Sequence, residues 1–442
     1  MSSRRIVIVG GGAAGFFAAI TSAEAAPGTE VIVLERGPRF LAKVKISGGG
    51  RCNVTHACFN EREFATRFPR GERALIAPFK QFQASDTAAW FAARGVKLKT
   101  ESDGRMFPTT DSSQTIMDCL LNAAREAGVK LVTNCLVERV RRTGGGFELV
   151  LSEGRARHSV RAVGIQLDSG AHGVTRPTTA EGNERNTLAC GKLLLATGGC
   201  RTPALGQLAV SLGHSLEAPV PSLFTFHIAT PWLRELAGIS VEMVEASVAE
   251  TRLHERGALL ITHWGLSGPA ILRLSAWGAR VLHEKDYRFA LHVNWLPQLS
   301  GETLASEFQT RRNSQPARLV VNSPVAPLPA RLWEQLVLAS GAARDTRWTV
   351  LPREAQHKLV QQLLRTEFQV TGKSLNKDEF VTCGGVRLGE VNFKTMESRI
   401  CPGLFFAGEV LDVDGITGGF NFQAAWTTGW IAGRALAEKG ND

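Results

Sequence analysis

The sequence predicts an α/β fold organised on a parallel sheet, and three stretches carry that prediction. Ile6–Val9 is an unbroken apolar run that opens into Gly10-Gly11-Gly12-Ala13-Ala14-Gly15 and then an alanine-rich segment. Val31–Leu34 is a second such run, and Leu193–Leu195 is a third that again ends in glycines. Short apolar runs without alternation suit strands covered on both faces. At 442 residues the chain has room for two or three domains.

The first 36 residues form one unit. Ile6–Val9 reads as a strand, Phe16–Ala26 as a helix and Val31–Leu34 as the next strand, with G-x-G-x-x-G spanning Gly10 to Gly15. Gly10 allows the tight turn, Gly12 leaves no Cβ in front of a pyrophosphate, and Gly15 lets helix and strand pack closely. The helix N-terminus offers free N–H groups and a positive dipole end to phosphates. Glu35 stands twenty residues after Gly15, at the strand end, where a carboxylate accepts from an adenosine ribose. The pattern specifies a dinucleotide without choosing between FAD and NAD.

Lys43 to Thr55 reads KVKISGGGRCNVT. Three consecutive glycines cost too much backbone entropy for regular structure and suit a loop that approaches a ligand closely. Lys43, Lys45 and Arg51 favour an anion or an electron-rich ring. Arg62–Lys99 reads as basic and helical, packed through Phe79, Phe82, Trp90 and Phe91. Gly104–Pro108 reads as a strand reaching a turn, Gln114–Ala127 as an amphipathic helix, and Gly144–Leu151 as a hairpin arm. Ser169–Asn186, rich in Gly, Thr, Pro and Asn, reads as a surface loop or insertion.

Lys192–Gly199 is a second strand entering a glycine turn, Ala196-Thr197-Gly198-Gly199. The texture then changes. Pro219–Ala290 has short alternating runs typical of antiparallel strands, and Thr262–Ala270 is a compact turn followed by a helix. Its His263 is a candidate substrate contact or a histidine satisfied within the turn. Leu328–Ser340 and Arg353–Phe368 read as helices, so residues 206–374 read as an inserted α+β domain. Gly403–Glu409 is a buried strand ending in Gly-Glu. Asp412–Asn421 then leads into a final helix over Phe422–Glu438, with exposed N–H groups at Gly419–Asn421 that suit negative charge.

Composition narrows the classes. No apolar run approaches the ~18 residues of a membrane span. The first strand begins too early to leave room for a signal peptide, so a cytoplasmic location is expected. The eight cysteines form no C-x-x-C pair and no zinc spacing, so reduced thiols and no metal are expected. The net charge of +10 suits anionic substrates such as RNA, and equally a solvated basic surface.

Assembled, these segments resemble the YhiN/BaiN-like family of FAD-dependent flavoproteins. The matching stretches are GGGAAG (Gly10–Gly15), KISGGGRCNVT (Lys45–Thr55), ATGG (Ala196–Gly199), THWGLSGPA (Thr262–Ala270), VTCGGV (Val381–Val386), TMES (Thr395–Ser398) and PGLFFAGEVLDVDGITGGFNFQAAW (Pro402–Trp426). The resemblance implies a Rossmann-like, two-dinucleotide-type FAD-binding domain that is discontinuous, residues 1–205 plus 375–442. The inserted domain, 206–374, would face the substrate. It implies noncovalent FAD, with Gly10, Gly12 and Gly15 at the pyrophosphate, Glu35 at the adenosine ribose, Ala13, Ala14 and Arg36 as further cofactor-binding residues, and Val137 meeting the adenine through its backbone. Lys43, Gly49, Gly50, Arg51 and Cys52 would lie near the flavin, as would Ala196, Thr197 and Gly198. Gly408 and Glu409 would meet the ribityl chain, and Asp414, Gly418, Gly419, Phe420 and Asn421 the isoalloxazine. Arg51, Cys52 and Asn53 are the candidates for chemistry, with Cys52 as proton donor or else as a packing residue of the flavin loop, and Cys383 behind it. The chain departs from the family at Cys200–Leu212, at Phe420 in place of tyrosine, and in the Ser169–Asn186 loop.

The expected activity is hydride transfer through FAD, reduced transiently by NAD(P)H, to an electron-poor C=C bond. No second G-x-G-x-x-G is present for the nicotinamide. The resemblance allows uridine in ribosomal RNA, a small enone, or amine (aminoacetone-type) oxidation. A flavin-binding sensor without turnover is the alternative from another class.

Overall fold

The computed structural model describes residues 5–152, 186–200, 203–374 and 381–438. Two compact units emerge, Met1–Val220 with Val381–Asp442, and Pro221–Phe380. The sequence puts the joins at 205/206 and 374/375. The helix Pro203–Ser211 and the strand Leu216–Ser222 explain the shift at the first join: the helix contacts the strand Val137–Thr143, and Leu216–Ser222 pairs with Val381–Val386.

The first unit is built on a seven-stranded sheet. β1 (Arg5–Val9) lies between β2 (Glu30–Leu34) and Lys192–Leu195, parallel to both. Lys130–Val132 extends the parallel set beyond β2, and Leu404–Phe406 extends it beyond Lys192–Leu195. Two short antiparallel strands, Glu397–Ser398 and Val391–Asn392, finish that edge. The apolar runs are buried on both faces, with Val7, Ile8, Ile32, Val33, Leu194 and Leu195 at 0% exposure, as an inner parallel sheet requires.

α1 (Ala13–Ala25) follows β1 and packs along the C-terminal helix Phe420–Ala437. Gly429 and Gly433 make that approach possible, since a Cβ there would stand 2.5 Å from the Ala14 carbonyl oxygen and 2.7 Å from that of Ala18. The C-terminal helix starts two residues earlier than its sequence suggests, so Phe420 and Asn421 form its first turn. The basic stretch after residue 60 resolves into Glu61–Ala65, Glu72–Gln81 and Ala84–Ala92. Phe79, Phe82 and Phe91 are buried there, as their spacing predicts. Two smaller sheets complete the unit: Thr55–His56, Arg105–Pro108 and Leu98–Thr100, and the meander Val137–Thr143, Gly146–Leu151 and Asn186–Cys190. The glycine-rich loop expected up to Asn186 lies outside the described residues except for Asn186 itself.

The second unit is a closed six-stranded antiparallel barrel, in the order Thr225–Ile228, Gly265–Ser267, His254–Thr262, Ser240–Val248, Phe289–Asn294 and Thr366–Ser374. Alternation puts Phe226, Ile228, Leu291 and Val293 inside at 0–2% exposure. Helices Gly301–Ser314, Ala330–Ala339 and Arg353–Arg365 cover part of it through Phe308, Trp333, Leu336 and Leu359. Among the described residues no helix is long and apolar enough to cross a membrane.

Candidate cofactor site

The glycine turn after β1 is shaped by contacts that only glycine tolerates. Gly10 has φ +117, and a Cβ on it would lie 2.1 Å from the Ala196 oxygen. A Cβ on Gly15 would lie 2.0 Å from the Gly10 oxygen. Nothing stands within 4 Å of a Cβ on Gly12, so the turn faces open space at the residue meant for close approach. Gly12 caps α1 without a side-chain hydrogen bond, and the first turn, Ala13 to Gly15, carries no acid. The N–H groups of that turn have no intrahelical acceptor and meet the space with the positive end of the helix dipole. The adjoining turn, which starts from Ala196, leads from Thr197, whose hydroxyl is buried without a hydrogen-bond partner, to Gly198 at φ +76. An open cradle of backbone donors beside an orphaned hydroxyl fits a dinucleotide pyrophosphate.

Glu35 ends β2 with both carboxylate oxygens engaged by backbone, the Gly11 N–H at 2.9 Å and the Gly37 N–H at 2.7 Å. Each oxygen keeps a lone pair, so the fixed carboxylate can still accept from a ribose. Arg36, beside it, is exposed. Val137 opens the meander, its side chain buried and its register partner Leu151.

Lys43 lies in α2 (Ala42–Gly50) and pairs with Glu409, whose other oxygen accepts the Thr382 N–H at 2.8 Å. The sequence names Lys43 and Glu409 separately for the cofactor, and folding brings them together. α2 is broken internally: Ser47 is extended, and Gly48 and Gly49 are left-handed at φ 57 and 68. The expected loop is therefore present within the helical segment, and Gly49 and Gly50 are exposed with nothing within 4 Å of a Cβ.

The three candidates for chemistry separate in the structure. Arg51 donates to Glu101 at 2.6 Å and lies over the Phe107 ring, 4.0 Å from its centroid. Asn53 bridges two elements. In the amide orientation that satisfies both ends, its nitrogen donates to the Thr55 oxygen at 3.1 Å and its oxygen accepts the Gly419 N–H at 3.0 Å. Cys52 has 0% exposure, and burial pushes its pKa up to about 12, so the thiol holds its proton within the packed loop. Cys383 is equally buried.

The start of the C-terminal helix also needs refinement. Gly418 and Gly419 have φ 130 and 93, and a Cβ on Gly419 would stand 2.5 Å from the Thr55 oxygen. The Gly419 N–H is bonded to Asn53, so it is not available to a ligand. The Asn421 side chain donates to and accepts from the Gly415 backbone, both at 2.8 Å, leaving the backbone of Asn421 as its outward donor. The helix has no side-chain cap, so the first-turn N–H groups of Phe420, Asn421 and Phe422 have no intrahelical acceptor. Asp414, at 0% exposure, faces Arg70, whose Nε donates to it at 2.6 Å. It anchors the loop that carries the glycines. Gly408 donates its N–H to Thr428 Oγ1 at 3.0 Å.

Two groups at this site carry no sequence signal. His56 stacks on Phe420 with ring centroids 4.6 Å apart, and its Nδ1 donates to the Gly418 oxygen at 3.1 Å. Burial lowers its pKa, keeping it neutral. Gln423 is fully buried and accepts from Thr55 Oγ1 at 2.6 Å and Thr87 Oγ1 at 2.9 Å. Among the described residues no three metal-ligating side chains come together.

This geometry agrees with the comparisons. The family model described as HI0933-like protein Rossmann domain matches residues 4–176, and that of the HI0933-like protein barrel and H2TH domain matches residues 220–381. A ribosomal RNA dihydrouridine synthase of Escherichia coli K12 is 30% identical over 439 residues, covering 97% of each chain. The chain belongs to the HI0933-like family. The family is the one that the YhiN/BaiN-like motifs indicate, and this member is an FAD-dependent oxidoreductase. A second relative, the 3-dehydro-bile acid delta(4,6)-reductase of Clostridium scindens, is 28% identical over 98% of this chain and 99% of that protein. The 3-ketosteroid delta1-dehydrogenase of Sterolibacterium denitrificans, solved with 1,4-androstadiene-3,17-dione, is 11% identical with a TM-score of 0.51. It covers 98% of this chain and 99% of that one and shares the fold.

Proposed function

We propose that this HI0933-like enzyme reduces a ring C=C bond conjugated to a carbonyl, with NAD(P)H as hydride source and uridine in ribosomal RNA as acceptor. One observation carries the reading. Along nearly its whole length the chain is similar to two proteins named for different substrates and one type of bond. The uracil ring and a 3-oxo steroid diene both hold a C=C bond that a carbonyl makes electron-poor. The net charge of +10 favours the polyanionic acceptor.

Bound FAD would supply hydride transfer from the nicotinamide to one carbon of the substrate C=C bond, and a proton taken up from solvent would complete the reduction at the other carbon. The chain's own part is holding and polarising. Gly12 and the α1 N-terminus would receive the pyrophosphate, and Glu35 the ribose hydroxyls. The Lys43–Glu409 pair would contact the chain between phosphate and ring. Asn53, by holding the Gly419 N–H, orients the helix start so that the N–H groups of Phe420 to Phe422 present positive potential to the ring system. Since the sequence has one G-x-G-x-x-G, the nicotinamide nucleotide would visit without a cradle of its own.

The test is anaerobic stopped-flow on the FAD-loaded protein mixed with NADH or NADPH, then with unmodified ribosomal RNA. Bleaching of the flavin band, recovery on adding RNA, and conversion of uridine to dihydrouridine by mass spectrometry are expected. Recovery with a 3-oxo-4-ene steroid but not with RNA would move the acceptor to small enones, the class that the bile-acid relative's name suggests. No bleaching with either nucleotide would overturn the nicotinamide step.

A further inference from the structure

THWGLSGPA stands out in the sequence, yet the cofactor site makes no use of it. In the barrel unit, Thr262 pairs with Gly265, leaving His263 and Trp264 as a two-residue hairpin tip. Both are exposed, and Trp264, at 62%, is the most exposed aromatic ring among the described residues.

The tip is held on both sides. Thr262 Oγ1 donates to the Gly265 oxygen at 3.1 Å and accepts the Trp264 N–H at 3.3 Å. The Trp264 carbonyl accepts the Ile228 N–H at 2.9 Å. Gly265, at φ +147, lies so close to the neighbouring strand that a Cβ would stand 2.2 Å from the Phe226 oxygen. That close approach lays the indole on His227, with centroids 5.8 Å apart and planes at 18°. His227 points outward because Phe226 and Ile228, on either side of it, fill the barrel interior.

A large ring, stacked on one face, fixed through its backbone and open on the other face, is a preorganised surface for a second flat ring. We propose that Trp264, backed by His227, is a stacking platform for a base of single-stranded RNA. The chain's charge of +10 complements the phosphates that would accompany the base. This inference rests on the reading of RNA as the acceptor and adds the contact that would hold it.

The test is fluorescence anisotropy of a fluorescein-labelled, uridine-containing single-stranded RNA with the FAD-loaded protein, comparing the parent with Trp264→Ala and Trp264→Phe. Truncation of the ring should weaken binding roughly 5- to 150-fold, the range seen for one base–aromatic stack. W264F should recover most of the loss. The dependence of log Kd on log salt should stay parallel to the parent's, because no phosphate contact is removed. Retained flavin absorbance and melting temperature would show that W264A is folded. Equal affinity of parent and W264A, or a changed salt slope, would overturn the platform while leaving RNA as the acceptor. A parent that binds no RNA would overturn the acceptor reading and the platform with it.

Discussion

His56 shows how a single side chain can matter without announcing itself. It ends the short strand Thr55–His56, with no motif spacing to mark it, and its partners Gly418 and Phe420 lie in a distant part of the chain. Only folding makes the contact. Its Nδ1–H must donate to the Gly418 carbonyl, which leaves Nε2 unprotonated in the neutral ring. Burial lowers its pKa, with Arg67 and Arg105 adding to the effect, against smaller opposing contributions from the Gly418 carbonyl and Asp103. The folded state thus binds the proton less tightly than the unfolded chain does. His56 therefore contributes its full stability above the unfolded value of 6.5, and that stability falls as the pH drops through the lower folded value. Melting curves from pH 8 to 5 should show this loss, and His56→Gln should shallow the slope. His214, also lowered by burial, is expected to retain its own share of the slope in that variant. An unchanged slope in H56Q would remove His56 from the acid response. Cys52 was legible as part of SGGGRCN, but its burial was not, because a sequence does not show which way a side chain in that loop turns.

At the scale of elements, the glycine loop and the C-terminal helix act as one piece, and the join is polar. Gln423 accepts from Thr55 in a strand and from Thr87 in a helix, and it donates to Thr427 Oγ1 at 3.0 Å. Trp426 Nε1 donates to the Val54 oxygen at 2.9 Å, one helical turn further on. All these side chains are buried, so each donor needs its acceptor. Gln423→Met keeps the volume and removes the acceptor shared by two hydroxyls. It should cost roughly 2–6 kcal/mol, at about 1–3 kcal/mol for each of the two buried hydroxyls left unsatisfied. The denaturation midpoint followed by release of FAD fluorescence should fall, and an unchanged midpoint would mean that other groups hold the two elements together. β1, α1 and β2 were legible because their signals are local: apolar runs, glycine spacing and an acid at a strand end. The network at Gln423 was not, because a buried glutamine in an alanine-rich helix looks the same as an exposed one.

At the scale of the whole molecule, a change from continuous apolar runs to alternating ones is what suggests an insertion at residues 206–374, while the second compact unit is Pro221–Phe380. Closure of the barrel was not legible. It depends on strands far apart in sequence, such as Thr225–Ile228 pairing with Thr366–Ser374. That same pairing explains how the insertion is accommodated, since the chain enters and leaves the barrel on adjacent strands. The barrel unit has its own core, centred on Phe226, Leu259, Leu291, Trp295 and Trp333. The residues named for FAD, by contrast, all belong to the first unit. Ligand binding raises the stability only of the part that binds, by RT ln(1 + [L]/Kd), or about 2.7 kcal/mol at a hundredfold excess over Kd. Calorimetry of the apoprotein should therefore resolve two transitions, and added FAD should shift only one of them upward. Proteolysis during the scan, mapped by mass spectrometry, should assign the unmoved transition to residues 221–380. If both transitions rise together with FAD, the two units unfold as one, and the barrel's core is not sufficient to make it independent.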